Sequence, residues 1–435
     1  MAKVCLVHVN SLGDYPPLGL MYIGTVLKNA GHKVTLIDNT ADKIPFDRLC
    51  DAILYEKPDF IGITTLTQTF PYVLELCKQL KARRDDSISI TLGGHHVSAI
   101  FQEDYLNYAD YIICGEGEYS FLHLVDGKPL QTIPGLIYKE KDKIRRNPIA
   151  TINNLDDLPI PDRSLIKGKN YVCDISVRRK PATSAITSRG CPYNCIFCSI
   201  HTVHGYKLRQ RSVNNVCDEI EYLLQEGYKE VYFVDDNFTL NNKWVVQLCN
   251  QIRQRKLDVA WKCLGRVDSV NEEMLRAMKK AGCYMIQFGM ESANQETLNF
   301  LRKRFTPTDI VKAANLCKKV GIDIWSFWII SPFENELQTL NTYKLATKLN
   351  TFFADFFNLK PLPGTDLWNL MLSEDVDYRK GDNVDKLRQK YFSRLRWLLK
   401  YPHMWRYWFH ANKNLGNQPF KLISKLHHML RKRNV

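Results

Sequence analysis

Two blocks of this chain alternate short apolar segments with longer amphipathic ones, and no other feature limits its possible folds so strongly. Short segments rich in β-branched and aromatic residues predict strands, and longer segments with helical apolar spacing predict helices. Repeated strand–helix units predict a parallel sheet with helices packed on it, so the first block predicts an α/β, doubly wound, Rossmann-like sheet. Its predicted elements are Val4–Val9, Leu18–Ala30, Val34–Ile37, Phe46–Glu56, Phe60–Thr64, Tyr72–Arg83, Ile88–Leu92 and Tyr111–Cys114.

The second block contains six predicted strands separated by helices, which together make a partial (β/α)6 TIM-type barrel. Active sites of such barrels gather at the carboxyl ends of the strands. The predicted strands are Ala185–Ser188, Glu230–Val234, Ala260–Leu264, Met285–Phe288, Ile322–Ile330 and Ala354–Leu359. The predicted helices are Asn214–Gln225, Lys243–Arg255, Glu272–Ala281, Pro307–Val320 and Glu336–Leu349.

Four regions follow from this pattern in a chain of 435 residues. We expect a Rossmann-like domain over 1–145, a linker over 146–183, the partial barrel over 184–365, and a helical, basic carboxyl-terminal region over 366–435. The linker is predicted from the polar, proline-punctuated run Leu155–Arg163.

Three cysteines, Cys191, Cys195 and Cys198, have the spacing C-x3-C-x2-C. They follow the first predicted barrel strand, and the barrel would therefore carry them near its carboxyl end. Three thiolates on one short loop suit three irons of a [4Fe–4S] cluster and leave the fourth iron open to a small molecule. The spacing therefore favours a site that binds a reacting small molecule over a metal site that only stabilises the fold.

Zinc binding and a disulfide framework are the two alternatives to an iron–sulfur cluster. Zinc is the first, because His201 or His204 would supply a fourth ligand. A disulfide framework is disfavoured, since the 13 cysteines are odd in number and the sequence shows no signal-peptide pattern. The other ten cysteines are scattered, form no second C-x2-C pair, and mostly predict small buried side chains.

Polar and glycine-rich segments follow many of the predicted strands. In parallel sheets, ligands bind outside the carboxyl strand ends, and glycines let a backbone approach them closely. Capping of a loop or helix is the simpler explanation for any single carboxylate among them. No G-x-G-x-x-G opens the first helix, so a dinucleotide is not favoured. These segments are Asn10–Gly13, Asp38–Asn39, Thr65–Thr67, Gly93–His96, Gly115–Glu118, Asp235–Asn237, Arg266–Asp268, Glu291–Ser292 and Pro361–Thr365.

The positive charge is concentrated at the carboxyl end. The formal net charge is +14, and Lys386–Val435 contains 13 Lys or Arg and no Asp or Glu, so the remainder has 47 basic and 46 acidic residues. Basic residues alternate there with Trp and Tyr on amphipathic helical spacing, which suits an anionic membrane surface. A packed helical cap is the main alternative, and nucleic acid binding is the weaker one. No apolar run is long enough to predict a transmembrane helix.

The cysteine loop resembles the radical S-adenosylmethionine superfamily, and the order of motifs over about residues 1–365 resembles its subfamily with a cobalamin-binding domain. That subfamily includes the anaerobic magnesium-protoporphyrin ester cyclase, hopanoid-modifying enzymes and many C-methyltransferases. The amino-terminal motifs are Pro16–Leu20, Gly31-His32, Asp38, Gly93–His96 and Gly115–Glu118, followed by the linker motif Leu158–Arg163. The barrel motifs are Arg209–Ser212, Asp235–Thr239, Ala281–Cys283, Gly289–Ser292 and Pro363–Thr365.

The resemblance implies three cofactors and the residues that hold them. Cys191, Cys195 and Cys198 match the cysteines that ligate the [4Fe–4S] cluster, whose open iron binds S-adenosylmethionine. The residues implied to contact S-adenosylmethionine are Asp235, Asp236, Arg266, Glu291 and Ser292. The residues implied to contact cobalamin are Ser11, Thr65, Thr67, Gly93, Gly94, Gly115, Glu116, Gly117 and Glu118. Without cobalamin, these loops would simply cap the sheet.

The implied activity is methyl transfer to an unactivated carbon of a small-molecule or lipid-like substrate through a 5′-deoxyadenosyl radical. Radical cyclisation or oxidative rearrangement of the ester-cyclase type is the enzymatic alternative, and a non-catalytic cobalamin-binding module is the alternative from another class. An electron donor such as flavodoxin or ferredoxin is expected. We expect a cytoplasmic protein, with peripheral contact to the inner face of the membrane through 386–435.

Two departures from the subfamily pattern stand out. The D-x-H-x-x-G motif that supplies a histidine to cobalt is absent, because His8, His32, His95 and His96 do not fit it. This suggests a cobalt without a protein histidine ligand. A glycine-rich turn is usual after the fifth barrel strand, whereas this chain has Ser331–Asn335. The shape of that loop is therefore not predicted.

Overall fold

The computed structural model describes residues 1–9, 15–171, 173–331 and 333–372. These residues divide into two compact units. The first contains Met1–Pro192, Cys198–Tyr232 and Leu362–Thr365, and the second contains Tyr193–Phe197, Phe233–Pro361 and the described residues from Asp366 onward.

The first unit holds a seven-stranded sheet in the order β2-β1-β3-β4-β5-β6-β7. Neighbouring strands from β2 to β5 pair in parallel, which confirms the predicted Rossmann-like sheet, whereas β6 and β7 add an antiparallel hairpin that the sequence analysis missed. The strands are β1 (Lys3–His8), β2 (Lys33–Asp38), β3 (Phe60–Thr64), β4 (Ser89–Gly93), β5 (Tyr111–Ile113), β6 (Leu136–Glu140) and β7 (Lys143–Arg146). The helices among them are α1 (Leu18–Asn29), α2 (Asn39–Asp42), α3 (Phe46–Tyr55), α4 (Phe70–Arg83), α5 (His95–Ala99) and α6 (Glu118–Val125).

Both faces of this sheet are covered, as a doubly wound fold requires. Successive side chains of a strand point to opposite faces. Cys5 and Val7 of β1 therefore belong to one buried cluster with residues of α3 and α4. Val4 and Leu6 belong to another with residues of α1 and α6. Near-continuous apolar strands are the expected consequence of burial on two faces.

The second sheet has six strands in the order β15-β14-β13-β12-β11-β8, and a separate antiparallel pair joins β9 to β10. The pairs from β12 to β15 are parallel, and five of the six predicted barrel strands are present. The first strand, β8, ends at Ala185, where the predicted strand Ala185–Ser188 begins. The strands are β8 (Ala182–Ala185), β9 (Ser188–Arg189), β10 (Arg209–Gln210), β11 (Glu230–Phe233), β12 (Ala260–Gly265), β13 (Cys283–Glu291), β14 (Asp323–Ile330) and β15 (Phe353–Asn358).

The five long helices predicted for this region are all present. The helices are α7 (His201–His204), α8 (Val213–Gln225), α9 (Asn242–Gln254), α10 (Glu272–Lys280), α11 (Gln295–Phe300), α12 (Pro307–Val320), α13 (Glu336–Leu349) and α14 (Asp366–Leu372). Helix α12 shows why these ends were predictable, because Thr306 and Asp309 form a capping box at its start and Gly321 ends it in the left-handed conformation.

The predicted basic segment Lys386–Val435 lies outside the described residues. Among the residues that the structure describes, no helix has both the length and the apolar character needed to cross a bilayer.

A buried ion-pair network holds the first unit together around Glu219 of α8. One carboxylate oxygen of Glu219 lies 3.3 Å from Nη2 of Arg163, and the other accepts a hydrogen bond from Nη1 of Arg211. All three side chains are almost fully buried. Two buried guanidinium groups thus share the carboxylate of Glu219.

Replacing Glu219 by Gln should destabilise the protein by about 3–5 kcal/mol, because it removes the buried carboxylate that Arg163 and Arg211 share. Urea denaturation followed by circular dichroism measures this change. Glu221→Gln is the matched control, since Glu221 lies on the same helix and is exposed. The control should change stability by less than about 1 kcal/mol. Equal stability of the two variants would contradict the role assigned to Glu219.

Candidate functional site

The start of the cysteine loop is fixed by a glycine. Gly190 has a φ of +88°, and a Cβ atom there would lie 2.3 Å from the carbonyl oxygen of Lys207. Only glycine fits this position without moving the backbone. The amide of Cys191 donates to the carbonyl of Gly205 at 3.3 Å, and the carbonyl oxygen of Cys191 lies 3.0 Å from Nε2 of His201. His201, a candidate zinc ligand, thus contacts the backbone of this loop.

The middle of the loop belongs to the second unit. The amide of Ile196 donates to the carbonyl of Leu301 at 3.3 Å, and the carbonyl of Ile196 accepts from the amide of Leu367 at 2.9 Å. The Ile196 side chain is buried in one apolar cluster with Ile329 and Leu359, which lie at and just after the carboxyl ends of β14 and β15. These contacts hold the segment around Cys195 at the carboxyl ends of the last two strands.

Arg266, which follows β12, lies beside Cys195. Its Nη1 atom is 3.8 Å from Sγ of Cys195, and its guanidinium stacks on the ring of Tyr193 at 3.5 Å. Asp268 accepts two hydrogen bonds from Arg266, at 3.0 and 2.9 Å. Burial lowers the pKa of Arg266, but the Asp268 carboxylate outweighs burial and the pKa is raised overall. A positive charge is therefore fixed next to this thiol.

A second buried cation, Lys303, was not identified from the sequence. Its Nζ atom lies 2.9 Å from Oε1 of Glu291 and above the rings of Phe197 and Phe305, at 5.8 and 5.5 Å. Burial lowers the pKa of Lys303, while the negative charges of Glu291 and Cys195 raise it, and the net shift is upward. Lys303 is thus a charged neighbour of both a predicted cluster ligand and a predicted S-adenosylmethionine contact.

Glu291, the partner of Lys303, has an unusual backbone conformation. It has a φ of +64°, where non-glycine residues are uncommon, and the pairing of β13 with β14 shifts register between Gly289 and Glu291. The carboxylate folds back over Gly289, where a Cβ atom would lie 2.4 Å from Oε1 of Glu291. The Gly289–Ser292 motif therefore has a local steric reason, because the glycine leaves room for the acid.

Ser292 has a mainly structural environment. Its hydroxyl donates to Oε1 of Glu334 at 2.8 Å and accepts from the amide of Asn294 at 3.1 Å. Glu334 also accepts from Thr297 at 2.7 Å. The segment Ser331–Asn335, whose shape the sequence did not predict, thus supplies a buried acid that orders the loop after β13.

The two aspartates after β11 differ in burial. Asp235 is 1% exposed, and its negative charge contributes to the raised pKa of Cys263, although burial of that thiol is the larger cause. Asp236 is only partly buried. The amide nitrogen of Asn237 is buried without a hydrogen-bond partner among the described residues.

The loops after β3 and β4 are joined by Thr65. Its hydroxyl donates to the carbonyl of Gly93 at 2.8 Å, and the Thr67 hydroxyl lies 3.2 Å from Nδ1 of His96. Gly94 has a φ of +96°, and a Cβ atom there would lie 2.7 Å from Oγ1 of Thr64. Hydrogen bonds and close packing of the main chain therefore bring Thr65, Thr67, Gly93 and Gly94 together at this edge.

Glu116 and Glu118, in contrast, bind arginines. Arg189 donates to Glu116 at 2.9 Å and to Glu118 at 2.6 Å, and Arg209 donates to Glu116 at 2.7 Å. Burial raises the pKa of Glu116, but Arg209 and Arg189 outweigh it and lower the pKa overall. Gly115 and Gly117 flank this ion-pair network, and Gly115 has a φ of +84°.

At the ends of β1 and β2, His8 and Asp38 form a buried pair. Nδ1 of His8 lies 2.9 Å from Asp38, which also accepts from the Tyr171 hydroxyl at 2.8 Å. Burial raises the pKa of Asp38, but these hydrogen bonds outweigh it, so the pKa is lowered. The predicted cobalamin contact Ser11 lies outside the described residues.

Two protein families match the chain. The B12 binding domain family matches residues 4–125, and the Radical SAM superfamily matches residues 185–346. An uncharacterized methyltransferase of Pyrococcus horikoshii is 35% identical over 392 residues, which cover 87% of this chain and 84% of that protein. The chain belongs to the radical S-adenosylmethionine superfamily, in the group with an amino-terminal B12 binding domain. The predicted family is thereby confirmed.

Other relatives of this radical S-adenosylmethionine enzyme are more distant. The anaerobic magnesium-protoporphyrin IX monomethyl ester cyclase of Cereibacter sphaeroides is 28% identical, over 88% of this chain and 66% of that protein. The solved methyltransferase TsrM of Kitasatospora setae, with cobalamin and a [4Fe–4S] cluster bound, has a TM-score of 0.70 at 20% identity. That likeness covers 86% of this chain and 75% of TsrM, and it confirms the predicted fold.

The family match also confirms the predicted cofactors, which are a [4Fe–4S] cluster, S-adenosylmethionine and cobalamin. The chemistry of this chain fits them, because one loop offers three thiols, two cations lie near Cys195, and two partly exposed glycines, Gly93 and Gly94, lie at the carboxyl end of β4. Within the described ranges, no three His, Cys, Asp or Glu side chains form a ready-made metal site. Enzymes of this superfamily act on small molecules and require a reductant.

Replacing Lys303 by Met should cost about 3–5 kcal/mol at pH 8, because it leaves the buried Glu291 carboxylate without a partner. Urea denaturation followed by circular dichroism measures this loss. Lys303→Arg keeps the charge and should lose less. An equal loss in the two variants would contradict this electrostatic explanation.

Proposed function

We propose that this enzyme transfers a methyl group to an unactivated carbon of a small-molecule or lipid-like substrate. The observation that carries the proposal is the 35% identity, along most of both chains, to a protein named as a methyltransferase. A hopanoid C-3 methylase of Methylococcus capsulatus is also 24% identical over 81% of this chain. When bound, the cofactors supply one-electron cleavage of S-adenosylmethionine and delivery of a methyl group.

In this proposal, Cys191, Cys195 and Cys198 ligate the cluster. Their spacing leaves one iron without a protein ligand, and Nη1 of Arg266 lies 3.8 Å from Sγ of Cys195, which places a positive charge beside one proposed ligand. The rings of Tyr193, Phe197 and Phe305 surround the cations of Arg266 and Lys303 and keep water away from them.

The proposed contacts of S-adenosylmethionine are Asp235, Asp236, Arg266, Glu291 and Ser292. Glu291 and Arg266 have the best support, since both are buried and belong to the charged surroundings of Cys195. Ser292 acts on the position of its loop through Glu334. Asp235 and Asp236 follow β11 at a carboxyl strand end, where barrel enzymes bind their ligands.

The proposed contacts of cobalamin lie at the carboxyl edge of the first sheet. Thr65 is fully buried, and its hydroxyl bonds the main chain of Gly93 and Val97, so it acts by shaping this edge. Thr67, Gly93 and Gly94 are partly exposed there. Gly115 and Gly117 offer main chain on the next loop, while Glu116 and Glu118 act by holding Arg189 and Arg209. Ser11 is proposed as a cobalamin contact on the basis of the sequence alone.

Radical cyclisation or oxidative rearrangement is the second candidate, because the ester cyclase relative is 28% identical over 88% of this chain. A non-catalytic cobalamin-binding module is not supported, since the Radical SAM match covers residues 185–346. We further propose a flavodoxin or ferredoxin as electron donor, and a cytoplasmic location with peripheral membrane contact through 386–435. The proposed domain boundaries are 1–145, 146–183, 184–365 and 366–435.

Replacing Cys195 by Ala should abolish cluster assembly, because two thiolates cannot hold three irons. After anaerobic reconstitution, iron and sulfide content and the visible absorbance of the cluster measure this loss. Cys173→Ala is the matched control, since Cys173 is also partly buried but lies outside the C-x3-C-x2-C motif. Full cluster content in the Cys195 variant would contradict the ligand assignment.

Incubation of the reduced holoenzyme with S-adenosylmethionine deuterated at its methyl group should transfer the label to the substrate and release 5′-deoxyadenosine. Extracts from a deletion strain are treated with the enzyme, and mass spectrometry then detects the product by the mass of the transferred label, whatever the substrate. A product lacking the label, formed together with 5′-deoxyadenosine, would support cyclisation or rearrangement and reject methyl transfer.

A further inference from the structure

The last two strands of the second sheet carry an aromatic wall on one face. We define the wall by its rings, which are Trp325 and Phe327 of β14 and Phe353 and Phe357 of β15. Ring centroids lie 6.0 Å apart for Trp325 and Phe327, 5.0 Å for Trp325 and Phe353, and 5.7 Å for Phe327 and Phe357. The rings therefore form one continuous apolar surface.

This wall is on the same side of the sheet as the segment around Cys195. Side chains two residues apart share a face of a strand, so Ile329 points the same way as Trp325 and Phe327. Ile329 is buried in one cluster with Ile196, the residue after Cys195. The opposite face is turned toward α13, where Tyr343 stacks on Phe356 at 4.3 Å. The wall thus lies on the face of the sheet that packs against the segment around Cys195, and not on the face covered by α13.

One carboxyl group, that of Asp355, is set into the wall. Asp355 pairs in register with Phe327, and its Oδ2 atom accepts a hydrogen bond from Nε1 of Trp325 at 3.0 Å. Its other oxygen, Oδ1, makes no hydrogen bond to any residue that the structure describes. Phe357, two residues further along β15, is 51% exposed. A hydrogen-bond acceptor, Oδ1 of Asp355, therefore lies near the accessible ring of Phe357.

We propose that Asp355 and the aromatic wall recognise the substrate, and that this substrate is an apolar or aromatic compound carrying an amine. A carboxylate among aromatic rings suits an ammonium group in two ways. The carboxylate provides a charge-assisted hydrogen bond, and the ring faces of Phe327 and Phe357 attract cations. An anionic group would be repelled at the same position. The proposal deepens the proposed function, on which it rests for the reaction performed.

The pH dependence of amine binding follows from the surroundings of Asp355. Burial raises the pKa of Asp355 to about 6, although the hydrogen bond from Trp325 lowers it. The carboxylate is therefore present above about pH 6 and is lost as the pH falls through that value. Trp325 and Phe353 flank Asp355. The charged residues on the same face of the neighbouring strands are Asp323 at the start of β14 and the buried Lys262 of β12, which is joined to Asp323 through the register of β13. Binding of an amine should weaken below pH 6.

The test uses two fluorinated probes that share a ring and differ in charge, 4-fluorophenethylamine and 3-(4-fluorophenyl)propionate. Broadening of the ¹⁹F resonance on titration with the reconstituted full-length protein at pH 7.5 measures binding of each. The amine should bind more tightly than the propionate. Asp355→Asn should weaken amine binding about tenfold, as expected for the loss of one charge-assisted hydrogen bond, and leave the propionate no weaker.

Two further variants make the test independent of folding effects at Asp355. Glu103→Gln removes an acid whose side chain is 75% exposed on the first unit, and it should leave amine binding unchanged. Trp325→Phe removes the hydrogen bond to Asp355 but keeps a ring, and it should move the pH midpoint of amine binding upward. Equal binding of the two probes, amine binding unchanged in Asp355→Asn, or no pH dependence between 5 and 7.5 would overturn the proposal.

Failure of this inference is distinguishable from failure of the proposed function. The same preparations are assayed for 5′-deoxyadenosine and for transfer of the labelled methyl group. Labelled product without selective amine binding would reject only the role of Asp355. Selective amine binding without labelled product would reject only methyl transfer.

Discussion

The buried ion pairs of Arg189 are the constraint on which the start of the cysteine loop depends. Arg189 ends β9, immediately before Gly190 and Cys191, and its guanidinium is enclosed by Glu116 and Glu118. Burial disfavours the charge of Arg189, but the two carboxylates outweigh burial and raise its pKa. A buried charge tolerates little displacement from its counter-ions, because an unpaired one is costly. The loop after β5 thereby fixes where the cysteine loop begins.

Buried ion pairs also fix the position of charged side chains around Cys195. Arg266 and Lys303 are held by Asp268 and Glu291, and aromatic rings exclude water from both cations. In surroundings of low polarity, fixed charges act more strongly than they do in water. The protein thus prepares the electrostatic environment of a predicted cluster ligand with residues that come from well-separated parts of the chain.

Some predicted site residues lie beside the cysteine loop, whereas others position the residues around them. Glu291 and Arg266 are placed next to the loop, whereas Ser292 orders its own surroundings through Glu334. Glu116 and Glu118, which are predicted contacts of cobalamin, both bind Arg189, and Glu116 also binds Arg209. A motif can therefore preserve a site indirectly, by positioning the residues that form it.

The sequence by itself determined the family, the two α/β blocks, five of the six barrel strands and the cysteine motif. These features depend on local periodicity and spacing, which are visible along one segment of chain. Only the tertiary structure decided that Lys303 pairs with Glu291, that Glu334 supports Ser292, and that Asp355 lies within an aromatic wall. Each of these contacts joins residues from different elements, and their meaning comes from burial and distance. The hairpin of β6 and β7 was not predicted, since β7 is mostly exposed and charged and lacks the apolar pattern of a buried strand.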